Sequence, residues 1–400
     1  MSAAAGDADH GARDLADFRS LPDLAVRTLG GSVVWANDEL FAERENLIKA
    51  EPPSHDLSTF GHKGKVYDGW ETRRRREPGF DEALVRLGAP GAVHGVVVDT
   101  SFFKGNYPPE VSVDAACFTG YPSVADLQTK ADWEPIVPRT KVQGHFANEF
   151  ETNPGRRWTH VRLRMYPDGG IARLRVHGEA LPDPQLLDVG GVDLAALENG
   201  GRVIGCSNLF YSSPNNLISP GQARIMGEGW ETARRRDDGN DWVLVRLAGA
   251  GVVRLAELDT MYFKGNAPGA ASLSGFDALA GGDIDDPDAW FEVMPRRDLE
   301  PDTRHRFLIK DTPRATHVRM DIYPDGGMAR LRLFGDLSPE GRSELGVRWF
   351  NALSPKAATA ALVDSGMDPA EANAMVAARP LTGSEALPAA ALALLLGRTG

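Results

Sequence analysis

Four hundred residues exceed what one hydrophobic core commonly serves, so two domains of ordinary size are the starting expectation. With 42% hydrophobic and 25% charged residues, the composition sets aside the collagenous, disordered and membrane-spanning classes. A formal net charge of -12 argues against a nucleic-acid partner, because phosphate binding draws on clustered Lys and Arg. Cys117 and Cys206 are the only cysteines, too few for a disulfide framework and without zinc spacing. No secretory signal and no long uncharged apolar run is present, so a cytoplasmic protein with no membrane partner is expected.

Taken in chain order, an acidic N-terminal segment occupies residues 1–27, and the first structured block runs over 28–180. Within it, residues 83–87 read as a strand, Gly88-Ala89-Pro90-Gly91 as a turn, and residues 93–98 as a second strand. Residues 110–115 alternate strictly, which suits a sheet with one wet face. Residues 159–166, the turn Pro167-Asp168-Gly169-Gly170 and residues 171–176 are expected to close a hairpin. After a linker over 181–199, the pattern begins again and fills 200–337.

The return is literal. Gly69-Trp70-Glu71-Thr72-Arg73-Arg74-Arg75-Arg76 recurs as Gly229-Trp230-Glu231-Thr232-Ala233-Arg234-Arg235-Arg236, and Asp99-Thr100-Ser101-Phe102-Phe103-Lys104-Gly105-Asn106 recurs at the same shift as Asp259-Thr260-Met261-Tyr262-Phe263-Lys264-Gly265-Asn266. Tyr166-Pro167-Asp168-Gly169-Gly170 recurs as Tyr323-Pro324-Asp325-Gly326-Gly327. Two long copies are too few to stack as a solenoid, so each is expected to hold its own core. Many short strands between turn residues make the class all-β, a sandwich or jelly roll in each copy. The order Asp-Gly-…-Thr, a strand ending in Leu-Gly-x-Pro, an apolar strand and a PxxVxV strand resembles the galactose-binding-like jelly roll, which implies two such sandwiches in tandem. Residues 338–400 differ, reading as a small C-terminal helical appendage with Ser354 and Asp368 as caps and a packing role against the second sandwich. Trp349-Phe350-Asn351-Ala352-Leu353 and Ala377-Ala378-Arg379-Pro380 resemble the opening of ureidoimidazoline decarboxylases, whose later catalytic residues have no counterpart here.

The motif around Trp70, the Asp99-Thr100-Ser101-Phe102-Phe103-Lys104-Gly105-Asn106-Tyr107-Pro108 run and Tyr166-Pro167-Asp168-Gly169-Gly170-Ile171-Ala172-Arg173-Leu174 together resemble the allantoicases. So do Gly30-Gly31-Ser32-Val33-Val34 and Phe41-Ala42-Glu43-Arg44-Glu45-Asn46-Leu47-Ile48, and the likeness spans both copies but not the appendage. It implies hydrolysis of allantoate to ureidoglycolate and urea in allantoin degradation, with no established metal. The alternatives are a tandem carbohydrate-type binding module and a hydrolase of a related ureido compound.

Allantoate carries one carboxylate and two ureido arms on a single carbon. Its site therefore needs cations, with a planar Arg able to grip a carboxylate bidentately, and carboxamides that both donate and accept. Arg74, Arg75, Lys104 and Asn106, with Arg234, Arg235, Lys264 and Asn266, are the substrate-binding candidates. Expelling urea calls for a proton donor and a base. Glu71 and Glu231 are the first candidates, followed by His160 and His317, since imidazole titrates near neutrality. Trp70 and Trp230 read as core anchors, and alternate members of the Arg73 to Arg76 run are expected to face solvent along a strand. His55 and His62 have no second ligand at a recognised spacing, so no metal is expected. No cofactor is expected either, as nucleophile-elbow, phosphate-loop and dinucleotide fingerprints are absent. Homo-oligomerisation stays open.

Overall fold

A computed structural model describes residues 17–55, 60–61, 64–65, 67–383 and 387–397. The described residues divide into two compact units: those of 21–190 with 197–200 and the described residues from 337, and those of 191–196 with 201–336 and 17–20. Each unit contains one β-sandwich. No helix among the described residues is long and apolar enough to cross a membrane.

The first sandwich is organised by one long strand, Asp81–Asp99. Its first part pairs with Ser32–Ala36 and Arg157–Tyr166, and its second part with Arg173–Ala180 and Ala147–Glu151. Residues 88–91 are therefore not the turn that their Gly and Pro suggest. The glycines are there because neighbouring backbone comes close: a Cβ on Gly88 would meet the Leu29 carbonyl at 2.7 Å, and one on Gly91 would meet the Glu179 carbonyl oxygen at 2.2 Å. The strand stays continuous while its register slips between Arg86 and Gly91.

The expected hairpin is also revised. Arg157–Tyr166 lies between Asp81–Asp99 and Glu110–Ala116, whereas Arg173–Ala180 pairs with the far part of the long strand. Between them, Gly170–Ile171 pairs with Trp70–Glu71 instead, and this short bridge positions the site described below. The Tyr166–Pro167 and Tyr323–Pro324 peptides are cis.

Alternation in Glu110–Ala116 does not give a wet face, because Ser112 and Asp114 are buried as well. Their polar groups are satisfied within the sheet: the Ser112 and Tyr166 hydroxyls are 3.0 Å apart, and Arg162 donates to Asp114 at 2.7 Å.

The second sandwich repeats the plan around Asp241–Asp259. Trp230–Glu231 pairs with Gly327–Met328, matching the first copy residue for residue. Trp70 and Trp230 are fully buried, as core anchors should be.

Four helices close the chain: Pro339–Ala352, Pro355–Asp364, Pro369–Ala377 and Ala389–Leu396. Ser354 accepts from Ala357 N–H and Asp368 from Ala370 N–H, so both expected caps form. The helices belong to the unit of the first sandwich, where the sequence had placed them as a cap on the second. Buried Arg342 fixes this docking by donating to Asp188 at 2.6 Å, and Lys356 reaches Asp132 at 3.0 Å. Such pairings, 154 and 224 positions apart, leave no local trace in sequence.

Candidate active site

Trp70 and Glu71 are neighbours on a two-residue strand, so their side chains leave opposite faces. The buried Trp70 ring is pinned by its indole N–H, which donates to the Asp38 carbonyl at 2.8 Å. Glu71 exchanges backbone hydrogen bonds with Ala42 at 3.2 Å each way and pairs with Gly170. Its main chain is thereby held from both sides, with its side chain on the face opposite the Trp70 ring.

Asn106 meets it there. The Asn106 side-chain amide donates to Glu71 Oε1 at 2.6 Å, and the Asn106 main-chain carbonyl accepts from Gly170 N–H at 2.8 Å. Gly169 has φ +148°, and a Cβ on it would press on the backbone of residues 106–108 at 2.7 to 2.9 Å, so the turn and the loop touch main chain to main chain. The other carboxylate oxygen, Glu71 Oε2, is buried and has no hydrogen-bond partner among the described residues. Burial raises the Glu71 carboxyl above its ordinary value, and the Asn106 hydrogen bond opposes only part of that rise. A half-buried carboxylate with one oxygen oriented and the other uncommitted can exchange a proton.

The second copy keeps the pair: Asn266 donates to Glu231 Oε1 at 2.5 Å, and Gly327 N–H donates to the Asn266 carbonyl at 2.8 Å. The structure thus brings together Glu71 with Asn106 and Glu231 with Asn266, 35 residues apart in each case. Lys104 and Lys264 lie two positions earlier on the same loops, both exposed.

The arginines divide differently from the expected strand alternation, because residues 72–75 form no strand. Arg75 is drawn inward to Asp81 at 2.7 Å, and Arg235 to Asp241 at 2.8 Å and Asp237 at 2.9 Å. Those guanidinium groups brace the loop through protein carboxylates, a pairing the sequence reading of them as substrate-binding did not foresee. Arg74 and Arg234 are exposed and form no ion pair among the described residues.

His160 and His317 are not brought to the glutamates. His160 sits six residues before Tyr166 on the same strand, roughly 20 Å at ordinary strand rise, while Glu71 lies beyond the opposite end. His160 Nδ1 pairs with the Thr159 hydroxyl at 2.8 Å and His317 Nδ1 with Thr316 at 2.9 Å. Burial, aided by Arg86 and Arg246, pushes both imidazoles down to about 4. His160 is buried and His317 half-buried, and both are neutral near pH 7. A base whose folded pKa lies below its unfolded value stabilises the fold fully above about 6.5, and that contribution is lost as pH falls through about 4. Melting temperatures measured from pH 7 to pH 4 should therefore fall across that window, and the double variant H160Q/H317Q should show a shallower fall.

His145 and Asp302, which cap the loops that carry Asn106 and Asn266, were not singled out by sequence. Phe102 and Tyr262 hold left-handed backbone at φ +68° and +70°. Their N–H groups are taken up by side chains from a distant loop, His145 Nδ1 at 2.9 Å for Phe102 and Asp302 Oδ1 at 2.7 Å for Tyr262. His55 stacks on Phe102 with ring centroids 5.3 Å apart, whereas His62 lies outside the described residues. Buried Arg173 donates to Asp68 at 2.8 Å, and this pairing holds the Asp68 carboxyl down to about 2. Aligning the copies over 142–148 and 299–305 would have shown that positions 145 and 302 correspond. Among the described residues, no group of three or more His, Cys, Asp or Glu converges as a metal site would.

With that geometry in hand, a family model described as Allantoicase repeat matches residues 22–181 and 192–338. A probable allantoicase of Nocardia farcinica is 60% identical over 322 residues, covering 80% of this chain and 95% of that protein. The allantoicase of Dictyostelium discoideum is 41% identical over 318 residues, covering 78% of this chain and 86% of that protein. The crystal structure of allantoicase from Saccharomyces cerevisiae superposes with a TM-score of 0.68 at 32% identity, covering 80% of this chain and 97% of that one.

Proposed function

The chain belongs to the allantoicase family, and from that premise we propose that it hydrolyses allantoate to ureidoglycolate and urea, with the Glu–Asn pair supplying the proton chemistry. The observation that carries the residue assignment is Glu71 itself, one oxygen fixed by Asn106 and the other buried and unpartnered. The family membership argues against the carbohydrate-binding alternative.

The substrate's needs map onto these groups. Asn106 donates to Glu71, while its own Oδ1, which has no partner among the described residues, can accept a ureido N–H. Ionised Glu71 takes a proton from the ureido arm that stays, and the freed electron pair forms a C=N bond to the central carbon as the C–N bond to the other arm breaks. The protonated Glu71 then gives that proton to the departing urea nitrogen. Water adds to the C=N bond, with Glu71 again accepting and returning a proton, to give ureidoglycolate. Each cycle consumes one water and releases one urea. Exposed Lys104 and Arg74 are the cations for the carboxylate, and holding the substrate against the glutamate contributes through orientation. The chain's two cysteines, both free thiols, support the reducing cytoplasm as its compartment.

Purified protein should release urea from allantoate with or without chelator, and turn over ureidoglycolate far more slowly. Failure of folded protein to release urea would overturn the assignment. Because burial raises the Glu71 carboxyl, the acid limb of the kcat/KM profile should lie above the ordinary glutamate value near 4.5. A limb at or below that value would speak against Glu71 as the base.

A further inference from the structure

The two copies share the Glu–Asn pair but differ in the charge beside it. In the second sandwich, Asp302 takes up the N–H of left-handed Tyr262 through Oδ1, and its Oδ2 lies 3.8 Å from the Lys264 ammonium. That lysine is faced by a carboxylate belonging to the protein. In the first sandwich the same backbone position is His145, which caps Phe102 through Nδ1. Since Nδ1 accepts, the neutral ring must carry its hydrogen on Nε2 and offer a donor where Asp302 offers only acceptors. Lys104 forms no ion pair among the described residues.

Two independent features run the same way. The Asn266 amide also donates to the Met226 thioether sulfur at 3.5 Å, so the second carboxamide spends a further donor hydrogen inside the protein. Glu71 Oε2 is buried without a partner, and Glu231 Oε2 is not.

On the reading under Proposed function, we propose that turnover of the anionic substrate is confined to the first sandwich, and that residue 145 decides this. Histidine leaves Lys104 open to a substrate carboxylate, whereas aspartate at the equivalent position occupies the lysine and repels an anion. The second sandwich retains the fold of the site and has lost its anion receptor. Residue 145 acts here as a specificity determinant through Lys104 and takes no part in bond making.

The test places each cap in the first copy and reads urea release from allantoate. Asp302 shows that aspartate can hold the left-handed residue, so H145D keeps the loop conformation while adding the carboxylate. KM should rise about 10- to 100-fold, the scale of losing a hydrogen bond to a charged group, with kcat within about threefold. H145N caps the same N–H without a charge and should rescue most of the KM loss. The proposal is overturned if H145D leaves KM within about twofold of wild type, if the loss falls on kcat instead, or if H145N is as damaging as H145D. Absence of urea release by the wild-type protein would overturn the functional reading rather than this inference.

Discussion

Replacing Glu71 with glutamine should lower kcat for allantoate by about 10²- to 10⁴-fold, the usual contribution of a positioned acid–base group. The substitution is nearly isosteric. Its side-chain carbonyl can still accept the Asn106 hydrogen bond that is 2.6 Å long in the native protein, so the loop keeps its anchor and KM should change little. What disappears is the proton acceptor at Oε2, which is buried, unpartnered and shifted upward by burial. E231Q is the internal comparison. It removes a carboxylate oriented by Asn266 at 2.5 Å in a loop whose lysine is already faced by Asp302, and urea release should persist close to the wild-type rate. Steady-state kinetics on both variants, with circular dichroism to confirm folding, checks the pair. Equal losses in E71Q and E231Q would mean that both sandwiches work.

Arg173→Met should destabilise the first unit by about 2–3 kcal/mol, the cost of leaving buried carbonyl acceptors without their charged donor, while half-buried Asp68 keeps Lys49 and Ser54 as partners. Arg173 is 1% exposed and donates to Asp68 Oδ2 at 2.8 Å, to the Glu51 carbonyl at 3.0 Å and to the Ala172 carbonyl at 2.7 Å. Methionine fills much of the volume but satisfies none of these acceptors. Asp68 is three positions before Glu71, so the same change should also loosen the strand that carries the glutamate and reduce kcat. Calorimetry should show the loss in one transition if the two units unfold separately. The pairing also has a pH signature: a carboxyl held down to about 2 contributes stability that is present above its unfolded value near 4 and lost as pH falls toward 2. That acid-side loss should be smaller in R173M, and an unchanged melting temperature would show that the pair does not stabilise the fold.

The duplication and the β class were legible because both rest on local signals: near-identical motifs that recur in the same order and short apolar runs between turn residues. Glu71 with Asn106, and Glu231 with Asn266, were also within reach, since the repeated motifs name them. The errors have identifiable causes. Gly88 and Gly91 look the same in sequence whether they make a turn or admit a neighbouring backbone, and here they do the latter. Residues 157–166 and 173–180 are close in sequence with turn residues between them, yet the Gly170–Ile171 bridge to Trp70–Glu71 carries the chain to different partners. Arg75 and Arg235 were read as free cations because nothing local reveals Asp81 and Asp241 turning toward them. Alternation could show that His160 and His317 face a packed environment, but not that a strand's length separates them from the glutamates. His145 and Asp302 were passed over because each is 43 or 40 positions from the residue it caps, outside every repeated motif.

The most direct test of the central claim is a crystal structure of the E71Q protein soaked with allantoate. Density for the substrate should appear in the first sandwich, with a ureido arm against Asn106 and Gln at position 71 and the carboxylate toward Lys104. Allantoate bound only at a site away from residues 71 and 106 would contradict the account.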